Sequence, residues 1–172
     1  MIEIKLPLQE QTVTKLRAGD VALLSGTVLT ARDCAHKRII QLINNNQPLP
    51  FELKNAVIYY AGPCPAKPGA ASGSCGPTTS SRMDSFAPAL IRSGLNAIIG
   101  KGEMCGEVRR ALTENRGVYF AAVGGAGALY GSSIVSSECI AFGELLSEAV
   151  YKLEIVNFPA IVAYDCYGGS IY

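Results

Sequence analysis

Val57-Ile58-Tyr59-Tyr60-Ala61 is an uninterrupted apolar run of strand length that ends abruptly at Gly62-Pro63. A strand with no polar position is buried on both faces, so this run belongs at the centre of a covered sheet. Val21 to Thr30 is rich in branched residues and reads as β structure, with Gly26 marking a bend or bulge. Asp33 is placed to cap a helix in which Ala35, Ile39, Leu42 and Ile43 share one face, and Asn44-Asn45-Asn46 with the prolines beyond end it. Helical patterns over residues 83–93 and 103–115 then alternate with strands at 97–99 and 118–123. A short helical segment begins in 124–131, and strands at 139–142 and 160–164 follow. This alternation predicts an α/β sandwich, although the β-rich first third argues against a simple doubly wound sheet.

Residues 62–81 are dense in glycine, proline, serine and threonine, a composition that ordinarily marks a flexible linker. Here it reads as a structured loop. The roughly sixty residues before it and ninety after it each look like part of one α/β pattern, and long loops inside compact domains are often functional. Residues 1–172 are therefore expected to form a single domain, long enough to bury about two-thirds of the surface its unfolded form exposes.

With 49% hydrophobic and 17% charged residues the chain suits a compact domain with buried strands rather than a disordered or coiled-coil protein. No apolar run approaches the ~20 residues of a membrane-spanning helix, and Met1 to Leu6 alternates like a strand rather than like a secretory signal. A cytoplasmic location is expected. A net charge of +1 gives no general drive toward nucleic acid. Locally, Arg32, Lys37, Arg38, Lys67, Arg82 and Lys101 lie in or beside the motif-rich segments, a layout that fits a small anionic ligand. The six cysteines lie far apart, with no C-x-x-C pair and one histidine, His36, to complete a zinc set. They read as free, buried thiols.

Gly76-Pro77-Thr78-Thr79-Ser80-Ser81-Arg82-Met83-Asp84 sets hydroxyls and an arginine where a turn should open a helix. Thr78 or Thr79 can cap that helix, leaving Arg82 as a solvated first-turn residue. The same geometry can hold an anion, because a helix N-terminus presents unpaired N–H groups and Arg82 adds a planar fork that suits a carboxylate. Lys101 lies between two glycines directly after a strand, either as an exposed turn residue or at a favoured ligand position. Gly124-Gly125-Ala126-Gly127-Ala128-Leu129-Tyr130-Gly131 invites comparison with a dinucleotide-binding turn, but the spacing between its glycines is one residue too long, and close packing is its better reading. His36 reads as a residue packed or hydrogen-bonded within its helix rather than as a general acid.

Taken together, Gly62 to Gly69, Thr78 to Asp84, Ile99 to Gly102, Tyr119 to Ala126 and the Arg32-Asp33-Cys34-Ala35-His36 run resemble the β-type region of iron–sulfur hydro-lyases, the class I fumarases and L-tartrate dehydratases, from about Arg17 to Asp165. The resemblance implies a swivelling β/β/α three-layer fold. It implies that Thr78 is the catalytic hydroxyl that removes a proton beside a substrate carboxylate, and that Arg32, Arg82 and Lys101 bind substrate. The choice of Thr78 over Thr79 rests on the four-residue spacing to Arg82. It further implies a [4Fe-4S] cluster carried by a partner α subunit and no metal on this chain. The expected role is the β subunit of a heteromeric hydro-lyase acting on a small dicarboxylate, fumarate or malate first and tartrate next, inactive without its partner. Two other readings stand beside it: a non-catalytic anion-binding or assembly module, and an enzyme bearing its own cluster. Lys67 also matches the family pattern without a defined role.

Overall fold

A computed structural model describes residues 1–172. Its frame is an antiparallel pair of long strands, β2 (Val21–Thr30) and β7 (Val150–Tyr164). Their register shifts between Leu24 and Gly26, so the glycine does mark a bulge. Gly26 has φ +129°, and a side chain there would strike the backbone of Leu6, so both the conformation and the close approach require glycine.

Along its other edge β2 pairs in parallel first with β1 (Ile2–Lys5) and then with β3 (Val57–Tyr59). The parallel series continues through β4 (Ala97–Gly100) to β5 (Val118–Ala121). β5 then pairs antiparallel with the last residues of β7, while β6 (Ile134–Ala141) pairs with its first half. The seven-stranded sheet has the order β1-β2-β3-β4-β5-β7-β6, and the extra β2–β7 pairing closes β2, β3, β4, β5 and β7 into a barrel-like ring. The α/β character is as expected, whereas a closed ring of strands was not foreseen.

The ring explains the fully apolar central strand. Val57 and Tyr59 point into an interior cluster with Ala97, Ile99, Val118, Phe120, Leu153 and Phe158. Ile58 and Tyr60 point outward into a second cluster with Ile98, Tyr119 and the helices. Both sets are dehydrated, so period-two alternation survives with no polar phase. The outer cover is α2 (Asp33–Asn44), α3 (Ala87–Arg92) and α4 (Gly106–Glu114), which insert Ala35, Ile39, Leu90, Val108 and Leu112. No helix is long and apolar enough to cross a membrane.

Residues 62–81 form a pinned loop. The Tyr59 hydroxyl, inside the ring, donates to the Cys75 carbonyl at 2.6 Å, Cys75 N–H donates to the Gly127 carbonyl at 2.9 Å, and Cys64 N–H donates to the Ser74 carbonyl at 2.9 Å. The glycine-rich run leads into α5 (Gly127–Ser132) and packs against this loop rather than against a strand: Gly127 lies beside Gly76, and a side chain at Gly131 would strike the Gly73 carbonyl. The last two strands are longer than their apolar segments, because the exposed residues of β6 and of the middle of β7 carry no continuous hydrophobic signal. A short α1 (Glu10–Val13) and a 3-10 segment, Gly143–Glu148, have no counterpart in the sequence reading.

Candidate functional site

Because β2, β3, β4 and β5 are parallel, their carboxyl ends share one edge of the ring. Arg32 follows β2, Gly62 follows β3, Lys101 follows β4 and Gly124 follows β5. In α/β folds this edge is where ligands are received. The Pro77–Ser80 segment is laid across it. Pro77 bridges Ala61, Thr78 N–H donates to the Tyr60 carbonyl at 2.7 Å, Thr79 pairs with Lys101, and Ser80 N–H donates to the Lys101 carbonyl at 2.9 Å. Thr78 is half-buried between the ends of β3 and β4, while Thr79 is exposed.

The three cations converge on the same edge in different electrostatic states. Arg82 Nε donates to Asp33 Oδ1 at 3.0 Å, and its Nη2 lies 2.9 Å from Oδ2. The second contact is close but off the hydrogen-bond line, so the pair is one directed bond plus a Coulomb contact. The remaining Nη donors of Arg82 are left for a second carboxylate. Arg32 Nη2 lies 3.7 Å from Glu148 Oε1, its Nε is buried without a partner, and its side chain passes so close to Gly62 that a methyl group there would press on it. Lys101 forms no ion pair; its methylenes lie over Gly124, where a Cβ would come within 3.0 Å of Cδ.

Glu148 escaped sequence reasoning, since it lies more than a hundred residues from Arg32 in a segment without motif or periodicity. Its Oε2 accepts Cys34 N–H at 2.8 Å, satisfying an otherwise free donor in the first turn of α2. Burial pushes its carboxyl up, but hydrogen bonds from the Cys34 thiol and N–H, with the Arg32 charge, outweigh burial and hold it below the ordinary carboxylate range.

Several local expectations are corrected. Asp33 is the first residue of α2, not its cap, and makes no capping bond; the Arg82 guanidinium takes its carboxylate instead. Thr78 and Thr79 do not cap a helix either. The chain makes a single 3-10 turn, Ser80–Met83, with no side-chain cap bond before α3 starts at Ala87. A four-residue turn supplies little dipole, so the cations rather than a helix terminus carry the positive field here. Arg82 is half-exposed but paired rather than merely solvated. The cysteines are free, yet only Cys75 and Cys166 are buried, while Cys64, Cys105 and Cys139 are exposed.

His36 is fully buried, with Nδ1 2.9 Å from the Arg32 carbonyl and the ring between Tyr60 and Phe86. Burial pulls its pKa down to about 4, so it is neutral at pH 7. Lys67 is exposed and borders a groove of about 820 Å³ between the pinned loop and α5. A depression of about 930 Å³ lies at the opposite, amino end of the parallel strands. Neither is lined by Thr78, Arg82, Lys101 or Arg32. Nowhere do three or more His, Cys, Asp or Glu residues gather as metal ligands.

Comparison with known proteins places this ring-closed mixed sheet in a family. The chain matches the Fumarase C-terminus family over residues 1–172 and belongs to that family. It is 38% identical over 175 residues to "Fumarate hydratase 2" of Leishmania major, covering 99% of this chain and 31% of that protein. It is 41% identical over 171 residues to "Putative L(+)-tartrate dehydratase subunit beta" of Methanocaldococcus jannaschii, covering 96% and 88% respectively. "Fumarate hydratase class I, aerobic" of Escherichia coli is 39% identical over 151 residues, covering 87% and 28%. The chain thus spans about a third of the length of these two fumarate hydratases and most of the tartrate dehydratase β subunit.

Proposed function

We propose that this chain is the β subunit of a two-subunit iron–sulfur hydro-lyase that adds water to, or removes it from, a small dicarboxylate, with fumarate and malate the first candidates and tartrate the next. The observation that carries the reading is the meeting of Thr78, Arg82, Arg32 and Lys101 on the carboxyl edge of four parallel strands, in a chain whose relatives bear hydro-lyase names. We assign residues 1–172 to one domain of the swivelling β/β/α type and the cytoplasm as its place of action.

In this reading Thr78 Oγ1, as the alkoxide, takes the proton from the carbon beside one substrate carboxylate. The electron pair left on that carbon moves into the carboxylate, which becomes doubly negative. A neutral threonine is too weak a base for this, so the alkoxide and the developing dianion both need cations nearby. Lys101 has no carboxylate partner to surrender and binds first. Arg82 receives the substrate through the donors that Asp33 leaves free, and Arg32 binds the second carboxylate while Glu148 holds its other side. The departure of hydroxide is assigned to no residue of this chain. A [4Fe-4S] cluster does not fit the chain's own side chains, because its six cysteines do not converge. We place that cluster on an α subunit, and none of the steps assigned here runs through it.

The test is anaerobic fumarate hydration by the reconstituted α subunit with and without this chain. Turnover that requires the chain is expected. A stable α–β complex silent on fumarate directs the assay to tartrate. Equal turnover by the α subunit alone, or no complex at all, contradicts the reading and favours a free-standing anion-binding module.

A further inference from the structure

We infer that Tyr119 and Ser80, which hold only the backbone behind the proposed substrate site, are positioning residues that set the lysine of that site against its threonine. Both are fully buried. The Tyr119 hydroxyl lies 2.7 Å from the Gly102 carbonyl and 3.0 Å from Ser80 Oγ, and Lys101 N–H donates to Ser80 Oγ at 2.8 Å. A carbonyl can only accept, so the tyrosine proton points at Gly102. The tyrosine oxygen must then accept from Ser80, whose own oxygen accepts from Lys101. The chain of donors runs in one direction: Lys101 N–H to Ser80 O–H to Tyr119 O–H to Gly102 C=O. It starts and ends on the Lys101-Gly102 dipeptide and clasps it from the buried side.

Ser80 closes the clasp a second time, since its own N–H donates to the Lys101 carbonyl at 2.9 Å. Two residues upstream in the same extended segment is Thr78. Next to Tyr119, Tyr164 treats the end of this turn similarly: its hydroxyl accepts Met104 N–H at 2.9 Å and donates to the Met104 carbonyl at 3.1 Å. The two rings lie 5.2 Å apart. Packing does not require the Tyr119 hydroxyl, because a phenylalanine would fill the outer apolar cluster without a buried polar atom to satisfy. Burial also raises the tyrosine pKa, which keeps the phenolic proton in place. What the hydroxyl adds is a fixed backbone for Lys101, whose side chain then has only its own rotamers to settle when it meets an anion.

This inference rests on the proposed role of Lys101, and the experiment separates the two. In the assembled α–β enzyme, kcat and KM are measured for wild type, Tyr119→Phe, Lys101→Ala and the double variant. Tyr119→Phe should lower kcat/KM about 10- to 100-fold, while in the Lys101→Ala background it should change it by less than about twofold. An equal loss in both backgrounds, or no loss in either, overturns the positioning role. If Lys101→Ala itself is without effect, the role of Lys101 fails and the inference falls with it. If Tyr119→Phe does not assemble, Ser80→Ala carries the same cycle, since it cuts the donor chain at its middle.

Discussion

Thr78 and Lys101 differ from their neighbours in what the fold leaves them free to do. Thr78 has its N–H committed to Tyr60 and its hydroxyl free of any protein partner, while Lys101 has its backbone committed to Ser80 and its ammonium unpaired. Lys101→Ala should therefore lower kcat/KM of the assembled enzyme by about 100-fold or more, as loss of a preorganised charge does, with no more than a few degrees' change in melting temperature. His36 gives a prediction of the opposite kind, on stability alone. Its folded pKa is about 4 against an ordinary 6.5, so between these values the unfolded chain binds the extra proton. Its contribution is complete above pH 6.5 and is lost as the pH falls toward 4, by about 3 kcal/mol. Glu148 and Asp165, held low in the fold, act in the same direction only at the acid end of that range. Melting temperature followed from pH 7 to 4 should fall, and His36→Gln, though less stable at pH 7, should fall less steeply. At this scale Thr78, Arg32, Arg82 and Lys101 were singled out by the resemblance of their motifs to the family, the spacing to Arg82 choosing Thr78 over Thr79. The contacts of Asp33, Glu148, Ser80 and Tyr119 stayed hidden because they join residues 17 to 114 positions apart, which no local pattern encodes.

The elements that present the site depend on small contacts at their ends. Gly100 closes β4 directly under the Ser80 hydroxyl, and any Cβ there would run into Ser80 Oγ and crowd the Tyr60 ring. Gly100→Ala should destabilise the chain by about 1–3 kcal/mol through overpacking and lower turnover as well, because the displaced serine is the one that holds Lys101. Differential scanning calorimetry and a rate assay on the same variant check both effects. Glu148→Ala removes the carboxylate that serves the first turn of α2. The expected loss is about 1 kcal/mol, or roughly 2–4 °C in melting temperature for a chain of this size. Strands and helices with a strong apolar period were legible from Val21 to Val123. The 3-10 turn at Ser80–Met83 was misread as a helix start because Thr-Thr-Ser-Ser fits a cap sequence, yet Thr78 N–H and Ser80 N–H are taken by strand ends instead.

At the scale of the whole molecule, the ring of strands brings β2, β3 and β4 together so that residues 32, 78, 82 and 101 share one edge. Periodicity indicated an α/β protein, but closure depends on β7 pairing with β2 along one edge and β5 along the other, and such non-local pairing has no signature in a single strand. The chain also spans only 31% and 28% of the two fumarate hydratases it resembles, and in the proposed function the rest of the chemistry lies outside residues 1–172. The most direct measurement is steady-state dehydration of malate by the assembled α–β enzyme, comparing Thr78→Ala with Thr79→Ala at matched complex and cluster content. The account predicts that Thr78→Ala loses at least about 100-fold in kcat with KM little changed, while the exposed Thr79→Ala stays near wild type. Wild-type turnover by Thr78→Ala, or the larger loss at Thr79, would contradict it.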